Sequence, residues 1–427
     1  MNRLTTLSGQ FSHLNDNPSR VAPGNSDDVV ICAALRTAIT KAKRGGFKDT
    51  YPEDLLANLL VALLKKTKID PSRIQDVCIG NVLQPGAGAL GSRIGMLMGG
   101  LPVSVPVNVV NRQCSSGLQA VANIVAAIKS GFIDVGIGGG VESMSQFDMM
   151  RTLNPEKLSE KVFEDEQGRN CLIPMGLTSE NVAEKYGISR EAQDQLAKES
   201  HDKCVKAQEQ GLFKEEIVPL NVKVKDADGV EKEIIVDRDD GARKATTVAN
   251  LAKLKPAFQA NGTTTAGNSS QVSDGAALVL LARRSAAEKL RLPILARFVA
   301  FTVVGVPPDI MGIGPAVAIP AVLEQANLSM DDIDIFELNE AFASQAVYCV
   351  KKLNIPKEKL NPKGKPLTSC TPDSGGIALG HPLGCTGARQ IATLLPELRR
   401  RKLRYGVVSM CVGTGMGAAA VIENLVR

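Results

Sequence analysis

Cys114 is the first residue of this sequence whose type and surroundings suit chemistry. It stands in the segment 111–117, NRQCSSG, directly before a predicted helix that runs to Lys129. The positive end of a helix dipole and the unpaired N–H groups of the first turn favour the thiolate, which is the nucleophilic form of cysteine. The alternative is a buried, inert thiol, as for any of the nine cysteines. We therefore treat Cys114 as a candidate nucleophile.

A candidate base lies far along the chain. His381 is one of three histidines and stands in GHPLG, 380–384, where Pro382 sets a turn before a predicted helix. A neutral imidazole is the natural group to take a proton from a thiol. The alternative is a histidine that only packs within the turn.

Two further segments combine polar groups with strand ends. Cys411 closes an apolar run and is followed by VGTGMG to Gly417. Glycines in such a turn let backbone N–H groups face a ligand as an oxyanion hole, and the GxGxxG and Walker spacings of nucleotide sites are absent. Asn339 and Glu340 follow another predicted strand, where Asn339 is either a site residue or a helix N-cap.

The elements that must position these residues form a repeat. Residues 76–81 match residues 334–339, and each segment follows an apolar-periodic predicted helix (52–66 and 316–326). Cys114 and Cys385 each begin a predicted helix that leads to a strand, at 133–139 and 405–410. Strand and helix alternate in both halves, which predicts two similar layered α/β domains.

Two segments depart from the repeat. Residues 145–271 contain charged predicted helices (179–186 and 189–210) and a strand pair around 226–229, and a long excursion of this kind often builds a ligand site. The second half also carries about thirteen extra residues near 361–374, where three prolines predict a surface loop. We predict a tail at 1–27, an N-terminal domain at 28–146 plus 272–293, an inserted loop domain at 147–271 and a C-terminal domain at 294–427.

The composition limits the classes of function. The chain has 427 residues, 44% of them hydrophobic and 22% charged, with a net charge of +5. Aromatic residues make up only 4%, which disfavours a stacking surface for nucleic acid. No apolar run approaches a membrane span, and the scattered cysteines lack metal-ligand spacing, so we expect no membrane span, no metal and reduced intracellular thiols.

The motifs together resemble the thiolase family, from about residue 28 to the C-terminus. The resemblance rests on NRQCSSG at 111–117, NEAFA at 339–343, GHPLGCTGAR at 380–389 and CVGTGMG at 411–417. The insert's GTTTAGNSSQVSDGA, 262–276, is similar to the family's coenzyme A segment. The sequence of residues 173–181 is most similar to that of the peroxisomal 3-ketoacyl-CoA branch of the family. The resemblance implies a five-layer αβαβα thiolase fold, built from two similar α/β domains with an inserted loop domain, in a homodimer.

The resemblance also implies roles. Cys114 would attack the 3-keto carbon after giving its proton to His381, and Cys411 would protonate the leaving acetyl-CoA enolate. One oxyanion would be held by His381 with a water on Asn339, the other by the N–H groups of Cys114 and Gly413. Arg243, Met175 and Ser270 would contact coenzyme A, which is a co-substrate, no cofactor being permanently bound.

The first residues of the sequence suggest a targeting signal. Leu4, Leu7, Phe11 and Leu14 recur at helical spacing, either by chance in a tail or as one face of a short helix. The pattern Arg3-Leu4, five residues, Gln10-Phe11 resembles the N-terminal peroxisomal targeting signal, with Phe11 where leucine or alanine is commoner. It implies an import receptor as a partner and the peroxisome as the location.

Three other interpretations remain open. A condensing enzyme of the same superfamily would use one cysteine with two histidines or with histidine and asparagine, which the second cysteine and the scarcity of histidines disfavour. A biosynthetic acetoacetyl-CoA thiolase differs mainly in direction and pocket size. A non-catalytic acyl-CoA or lipid-binding protein on the same scaffold would bind without turnover.

Overall fold

The computed structural model describes residues 24–149, 157–361 and 375–426. The tail with its targeting pattern and the loop at 362–374 lie outside these ranges. In the described part, the strands are Val29–Arg36 (β1), Thr40–Lys41 (β2), Asp76–Gly80 (β3), Val107–Val110 (β4), Val135–Ser143 (β5), Leu220–Lys225 (β6), Glu231–Val236 (β7), Ser273–Arg283 (β8), Ala296–Gly305 (β9), Ile335–Leu338 (β10), Tyr405–Val412 (β11) and Met416–Asn424 (β12).

The α-helices of the same ranges alternate with these strands. They are Pro52–Thr67 (α1), Ala89–Met98 (α2), Ser116–Lys129 (α3), Glu166–Asn170 (α4), Met175–Tyr186 (α5), Arg190–Glu209 (α6), Val248–Ala252 (α7), Arg284–Lys289 (α8), Gly314–Ala326 (α9), Ala343–Leu353 (α10), Gly376–Leu379 (α11) and Thr386–Arg401 (α12). Within the described ranges, every helix and strand that the sequence predicted is present, with ends shifted by a few residues.

The helices begin and end where local sequence requires it. Helix α1 starts with Pro52, carries Glu53 and Asp54 in its first turn and ends before Lys68, which is left-handed. Acidic residues at the start and a left-handed residue at the end satisfy the helix dipole and the last carbonyls. Its leucines recur on one face and are buried, which holds the helix on the sheet.

The strands of the two halves have the same topology. Within the described ranges, one ten-stranded sheet has the order β10-β11-β12-β9-β1-β8-β5-β3-β4, with β2 paired to β8. Strands β5-β3-β4 in one half and β10-β11 in the other are parallel, whereas β8 and β12 are antiparallel to their neighbours. The halves join through β1 and β9, which share only two paired positions, Val30 with Arg297 and Ile31 with Ala296.

Helices α3 and α12 form the middle layer of the molecule. Their apolar faces share one core with β1, β8, β9, β11 and β12. The opposite face of the first half-sheet packs against α1 and the excursion, and that of the second half-sheet packs against α9 and α10. The molecule therefore has the five αβαβα layers that the sequence predicted. The excursion holds α4 to α7 and the β6–β7 hairpin, while the predicted domain limits stay predictions.

A buried anchor ties the excursion to the first half. The Arg36 guanidinium bonds to Asp239 and Glu216 at 2.7 Å each, and all three side chains are fully buried. The Asp239 carboxylate also accepts the Ile39 N–H, and Glu216 accepts the Thr393 hydroxyl from α12. Removing one partner would leave an uncompensated buried charge, so the excursion is held firmly.

Both ends of the extra loop meet one side chain. Asn361 donates an amide hydrogen to the Glu340 carboxylate at 3.2 Å and exchanges two further hydrogen bonds with Leu338 on β10. Gly375 is packed so tightly on the same Glu340 carboxylate that a Cβ would not fit. Glu340 therefore contacts the residues on both sides of the segment 362–374.

Candidate active site

Cys114 lies in a tight turn at the start of α3. Gln113 is left-handed, with φ 46°. The Ser116 hydroxyl accepts the Arg112 N–H at 2.9 Å and donates to the Gln113 carbonyl at 2.7 Å. These bonds fix a backbone that an L-residue rarely adopts, and such strain is concentrated at functional sites. The turn holds Cys114 at the edge of the core with 8% of its surface exposed.

The resting state of this sulfur is set by two opposing effects. Burial raises the pKa of the Cys114 thiol to about 11, although hydrogen bonds from the N–H groups of Gly413 and of Cys114 itself lower it. Desolvation in the core therefore outweighs the donors at the helix start. Cys114 is therefore a neutral thiol that needs a base before it can attack.

Cys411 and Gly413 lie beside Cys114. Burial and then the neighbouring Cys114 thiol raise the pKa of Cys411, which is completely buried at the end of β11. The turn from β11 to β12 uses left-handed Thr414 and Gly415, so that the Gly413 N–H points at the Cys114 sulfur. Two thiols and a backbone donor thus share one small volume.

His381 has a defined tautomer. Its Nδ1 lies 2.6 Å from the Thr386 hydroxyl oxygen, and that hydroxyl donates its only hydrogen to the Pro382 carbonyl at 3.0 Å. Nδ1 must therefore carry the hydrogen and donate it to Thr386, which leaves Nε2 as the acceptor. Nε2 is buried and has no hydrogen-bond partner among the described residues.

The imidazole is also held neutral. Burial, and then the positive charge of Arg389, lower the pKa of His381 to about 3. Arg389 is itself buried, with its guanidinium 3.7 Å from the Glu337 carboxylate. The imidazole is therefore neutral over the whole physiological range, and its Nε2 lone pair is available to accept a proton.

The turns that carry His381 and Cys114 meet at two glycines. A Cβ on Gly117, the second residue of α3, would lie 2.6 Å from the Gly384 carbonyl oxygen. Cys114 and His381 each stand three residues before their glycine in this junction. The main chain of Gly384 can approach α3 so closely because Gly117 has no side chain, and Gly384 itself packs against the carbonyls of Val141 and Gly80, where a Cβ would not fit.

Asn339 follows β10 and presents its amide without a partner. The residue at the N-cap position of α10 is Phe342, so the helix-cap alternative for Asn339 is wrong. Its amide is buried, and neither its oxygen nor its nitrogen has a hydrogen-bond partner among the described residues. A Cβ on Gly376, on the segment that leads to His381, would lie 2.8 Å from the Asn339 oxygen.

The three residues predicted to contact coenzyme A lie on the excursion. Met175 begins α5 and packs with Phe342 against Cys411, and its sulfur would be 3.6 Å from a Cβ on Gly413. Ser270 donates its backbone N–H to Ala341. Arg243 is exposed, and its N–H donates to Nδ1 of His201 at 3.3 Å. Their roles stay predictions.

Two residues that position the site were missed. Thr386 fixes the tautomer of His381, as described above. Gln271 accepts the His381 N–H on its backbone carbonyl at 3.1 Å, and its side chain donates to Gly241 and Ile377. The hydroxyl in GCTGAR was a visible signal for Thr386, whereas Gln271 gave none because its partners lie far away in sequence.

Other kinds of site receive no support from the described residues. In residues 24–149, 157–361 and 375–426, no group of three or more His, Cys, Asp or Glu residues could hold a metal ion. No helix in this part of the chain is both long and apolar enough to cross a membrane.

The fold and this site define a thiolase. The family description "Thiolase, N-terminal domain" matches residues 29–285 and "Thiolase, C-terminal domain" matches residues 292–424, so the chain belongs to the thiolase family. Within the family it is similar to peroxisomal 3-ketoacyl-CoA thiolase B of Rattus norvegicus, with 56% identity over 99% of both chains. It is also 58% identical to the peroxisomal 3-ketoacyl-CoA thiolase of Homo sapiens, over 93% of this chain and 91% of that protein.

Solved structures agree with these relatives. The dimeric peroxisomal thiolase of Saccharomyces cerevisiae is 49% identical, with a TM-score of 0.85 over 95% of this chain and 99% of that one. An acetyl-CoA acetyltransferase of Bacillus anthracis is 38% identical, with a TM-score of 0.82 over 93% and 99%. The resemblance stated from the motifs is thereby confirmed.

Proposed function

We propose that this protein cleaves 3-ketoacyl-CoA with free coenzyme A, giving acetyl-CoA and a shortened acyl-CoA in the last step of peroxisomal fatty acid β-oxidation. The observation that carries the proposal is the meeting of Cys114 and Cys411 with the Gly413 N–H in one buried volume. The relatives named peroxisomal 3-ketoacyl-CoA thiolase support both the reaction and the location.

The first half of the reaction makes an acyl-enzyme. The Cys114 thiol gives its proton to Nε2 of His381, and the sulfur attacks the C3 carbonyl to form a tetrahedral alkoxide. The C2–C3 bond then breaks, and its electron pair passes into the enolate of acetyl-CoA. The Cys411 thiol protonates that enolate at C2, which releases acetyl-CoA and leaves the shortened acyl group on Cys114.

The second half reverses the roles of the two sulfurs. Cys411, now a thiolate, takes the proton of the incoming coenzyme A thiol. The coenzyme A sulfur attacks the acyl-enzyme carbonyl, and the tetrahedral intermediate expels the Cys114 sulfur, which recovers its proton from His381. The acyl thioester on Cys114 is close in energy to the product thioester, so the reaction stays reversible.

Two sets of donors stabilise the developing oxyanions. The N–H groups of Cys114 and Gly413 form one set, and both already donate towards the Cys114 sulfur. The protonated imidazole of His381 and a water held by Asn339 would form the other, and the Asn339 amide has no other partner in the described chain. One such donor typically lowers the barrier by about 3 kcal/mol.

Coenzyme A would lie along the excursion. Met175 and Ser270 would line the path of the pantetheine arm towards Cys411, and exposed Arg243 would meet the phosphates and adenine. Coenzyme A enters and leaves as a co-substrate, with no permanently bound cofactor. The dimeric yeast structure supports a homodimer, and the pattern at Arg3–Leu4 and Gln10–Phe11 would bind an import receptor.

A biosynthetic acetoacetyl-CoA thiolase is the second candidate, because the similar Bacillus anthracis structure is named acetyl-CoA acetyltransferase. The two functions share residues and differ in chain length and direction. The test is coenzyme A-dependent cleavage of a series of 3-ketoacyl-CoA substrates from four to sixteen carbons. Faster cleavage of the longer substrates supports β-oxidation, and cleavage of acetoacetyl-CoA alone supports the biosynthetic role. Binding of coenzyme A without any cleavage would overturn both.

A further inference from the structure

Glu142 is a buried carboxylate that the reaction above does not use. It lies on β5, is completely buried, and accepts four hydrogen bonds. One carboxylate oxygen accepts the N–H groups of Val82 at 3.0 Å and Gly384 at 2.9 Å. The other accepts the Leu83 N–H at 3.2 Å and the Asn81 side-chain amide at 3.0 Å.

These donors come from both halves of the molecule. Residues 81–83 follow β3, which belongs to the first half, whereas Gly384 belongs to the turn that carries His381 in the second half. The carboxylate therefore joins segments that are 59 to 242 residues distant along the chain. Four N–H donors are needed to compensate a buried carboxylate, and here they are present.

The joined segments support the reacting groups. Gly80, the last residue of β3, lies against the main chain of Ser116 and Gly117 at the start of α3, two to three residues after Cys114. The Gly384 carbonyl packs on Gly117 and against Gly140 of β5, where a Cβ would not fit. Main chain packs on main chain at this junction, so a displacement of the 381–384 turn changes the distance from Nε2 of His381 to the Cys114 sulfur.

We propose that Glu142 is a positioning residue for thiolytic cleavage, whose carboxylate holds the turn carrying His381 in its place against the turn carrying Cys114. This inference rests on the proposed function. Glu142 acts through the Gly384 N–H and touches neither substrate nor coenzyme A.

The charge state of Glu142 predicts a pH dependence that gives this proposal a second test. Burial raises the pKa of Glu142 to about 7, against the opposing effect of its four donors. Two titratable groups face it, the Cys114 thiol from the turn before α3 and the Cys385 thiol from α12. As the pH falls through about 7, the carboxylate gains a proton and one oxygen stops accepting, so its hold on the turn weakens.

The test replaces Glu142 with glutamine in the full-length protein. Glu142→Gln keeps the shape but turns one acceptor into an N–H donor, which then faces N–H groups of the main chain. The matched control is Glu423→Gln. Glu423 is also a buried carboxylate, on β12, but it accepts its hydrogen bonds from the side chains of Arg297 and Arg404 and belongs to no segment assigned to catalysis or coenzyme A binding.

Three quantities are measured on each variant. They are kcat and KM for 3-ketoacyl-CoA between pH 6 and 9, the rate of alkylation of Cys114 by iodoacetamide followed by mass spectrometry, and the thermal midpoint. For Glu142→Gln we expect kcat to fall tenfold to about a hundredfold, with KM within twofold. The alkylation rate falls in proportion, because His381 no longer accepts the proton of the Cys114 thiol. The decrease in kcat that protonation of Glu142 causes below pH 7 in the unmodified protein disappears in this variant. Glu423→Gln keeps kcat and alkylation within twofold of the unmodified protein.

The inference is overturned if Glu142→Gln retains kcat and the alkylation rate within twofold of the unmodified protein. It is equally overturned if Glu423→Gln loses as much of both. If Glu142→Gln does not fold, Asn81→Ala, which removes one of the four donors, is expected to lower both rates a few-fold, and unchanged rates would count against the inference. If the unmodified protein alkylates at Cys114 but cleaves no substrate, the proposed function fails while alkylation still tests the role of Glu142.

Discussion

The two halves repeat the same strand–helix order but supply different parts of the site. In the first half, Asn81 is fully bonded, to Glu142, Val141 and Gln84, while Cys114 faces Cys411 and Gly413. In the second half the situation is reversed. Asn339 has no partner in the described chain, while Cys385 is completely buried in the middle-layer core.

The difference lies in the turn before each helix. Gln113 is left-handed and lifts Cys114 out of the helix, whereas Cys385 has right-handed helical angles and is the N-cap residue of α12. Cys385 therefore points into the core, where burial raises its pKa to about 12. A repeat thus builds one asymmetric site because each half keeps one reactive position and uses the equivalent position for packing.

The largest expected effect comes from replacing the two equivalent cysteines in turn. Cys114→Ala removes the nucleophile, so we expect a loss in kcat on the order of 10⁴-fold with coenzyme A binding retained. Cys385→Ala removes only a packed sulfur, so we expect activity within a few-fold and a destabilisation of about 1 kcal/mol. Steady-state kinetics and denaturant unfolding measure both, and more than a few per cent of activity in Cys114→Ala would exclude the nucleophile assignment.

His381→Asn tests whether the imidazole is needed as a base. Asparagine can still donate to Thr386 but cannot take the thiol proton, so we expect kcat to fall on the order of 10³-fold. A fall of less than tenfold, measured by single-turnover acylation, would mean that another group accepts the proton.

The same variant should also change how the free energy of unfolding depends on pH. The pKa of His381 is lowered to about 3, so between that value and about 6.5 the unfolded chain binds a proton that the folded chain does not. The contribution of His381 to the free energy of unfolding is therefore fully present above about pH 6.5. It is lost as the pH falls, by about 1.4 kcal/mol per pH unit. Unfolding of the unmodified protein and of His381→Asn at pH 7 and pH 5 should show the variant gaining in relative stability.

The two equivalent asparagines should respond in opposite ways. Asn339→Ala removes an oxyanion donor, so we expect a fall in kcat of about a hundredfold, without loss of stability because the amide has no partner to lose. Asn81→Ala breaks bonds to buried partners, so we expect a loss of about 2 kcal/mol in the free energy of unfolding and only a few-fold change in kcat. Equal kinetic effects of the two changes would remove the basis of the comparison.

Thr386→Val should have a smaller effect. Valine keeps the volume but removes the oxygen that accepts the Nδ1 hydrogen of His381, so the imidazole can turn or change tautomer. We expect kcat to fall about tenfold, with KM unchanged. Thr386→Ser keeps the hydroxyl and should restore most of the activity, and failure of serine to do so would point to a loss of packing instead.

Sequence reasoning recovered the parts of this molecule that are local. The periodic leucines of α1 and the polar turn before α3 mark elements within a short window, and the motif around His381 marks a candidate site residue. The contacts that join the halves were missed, because Gly384 and Glu142 are 242 residues apart and nothing near either residue indicates the other. The raised pKa of the Cys114 thiol could not be predicted for the same reason, since burial depends on the whole fold and the helix start does not reveal it.

The smallest expected effect concerns the extra loop of the second half. Removing residues 364–373 should leave kcat unchanged or slightly raised, because the flanking residues Asn361 and Gly375 are each fixed on Glu340. The truncated and full-length proteins are compared on the same substrate series. A collapse in rate would show that the loop contributes to the reaction.

The fixed ends at Glu340 make this loop a natural point for engineering. Asn361 and Gly375 both contact the Glu340 carboxylate. A change in the length of chain between them is therefore not expected to displace the turn that carries His381. An epitope, a fluorophore-labelling peptide or a small binding domain grafted there would be carried by a working enzyme. The pattern at Arg3–Leu4 and Gln10–Phe11 would remain untouched.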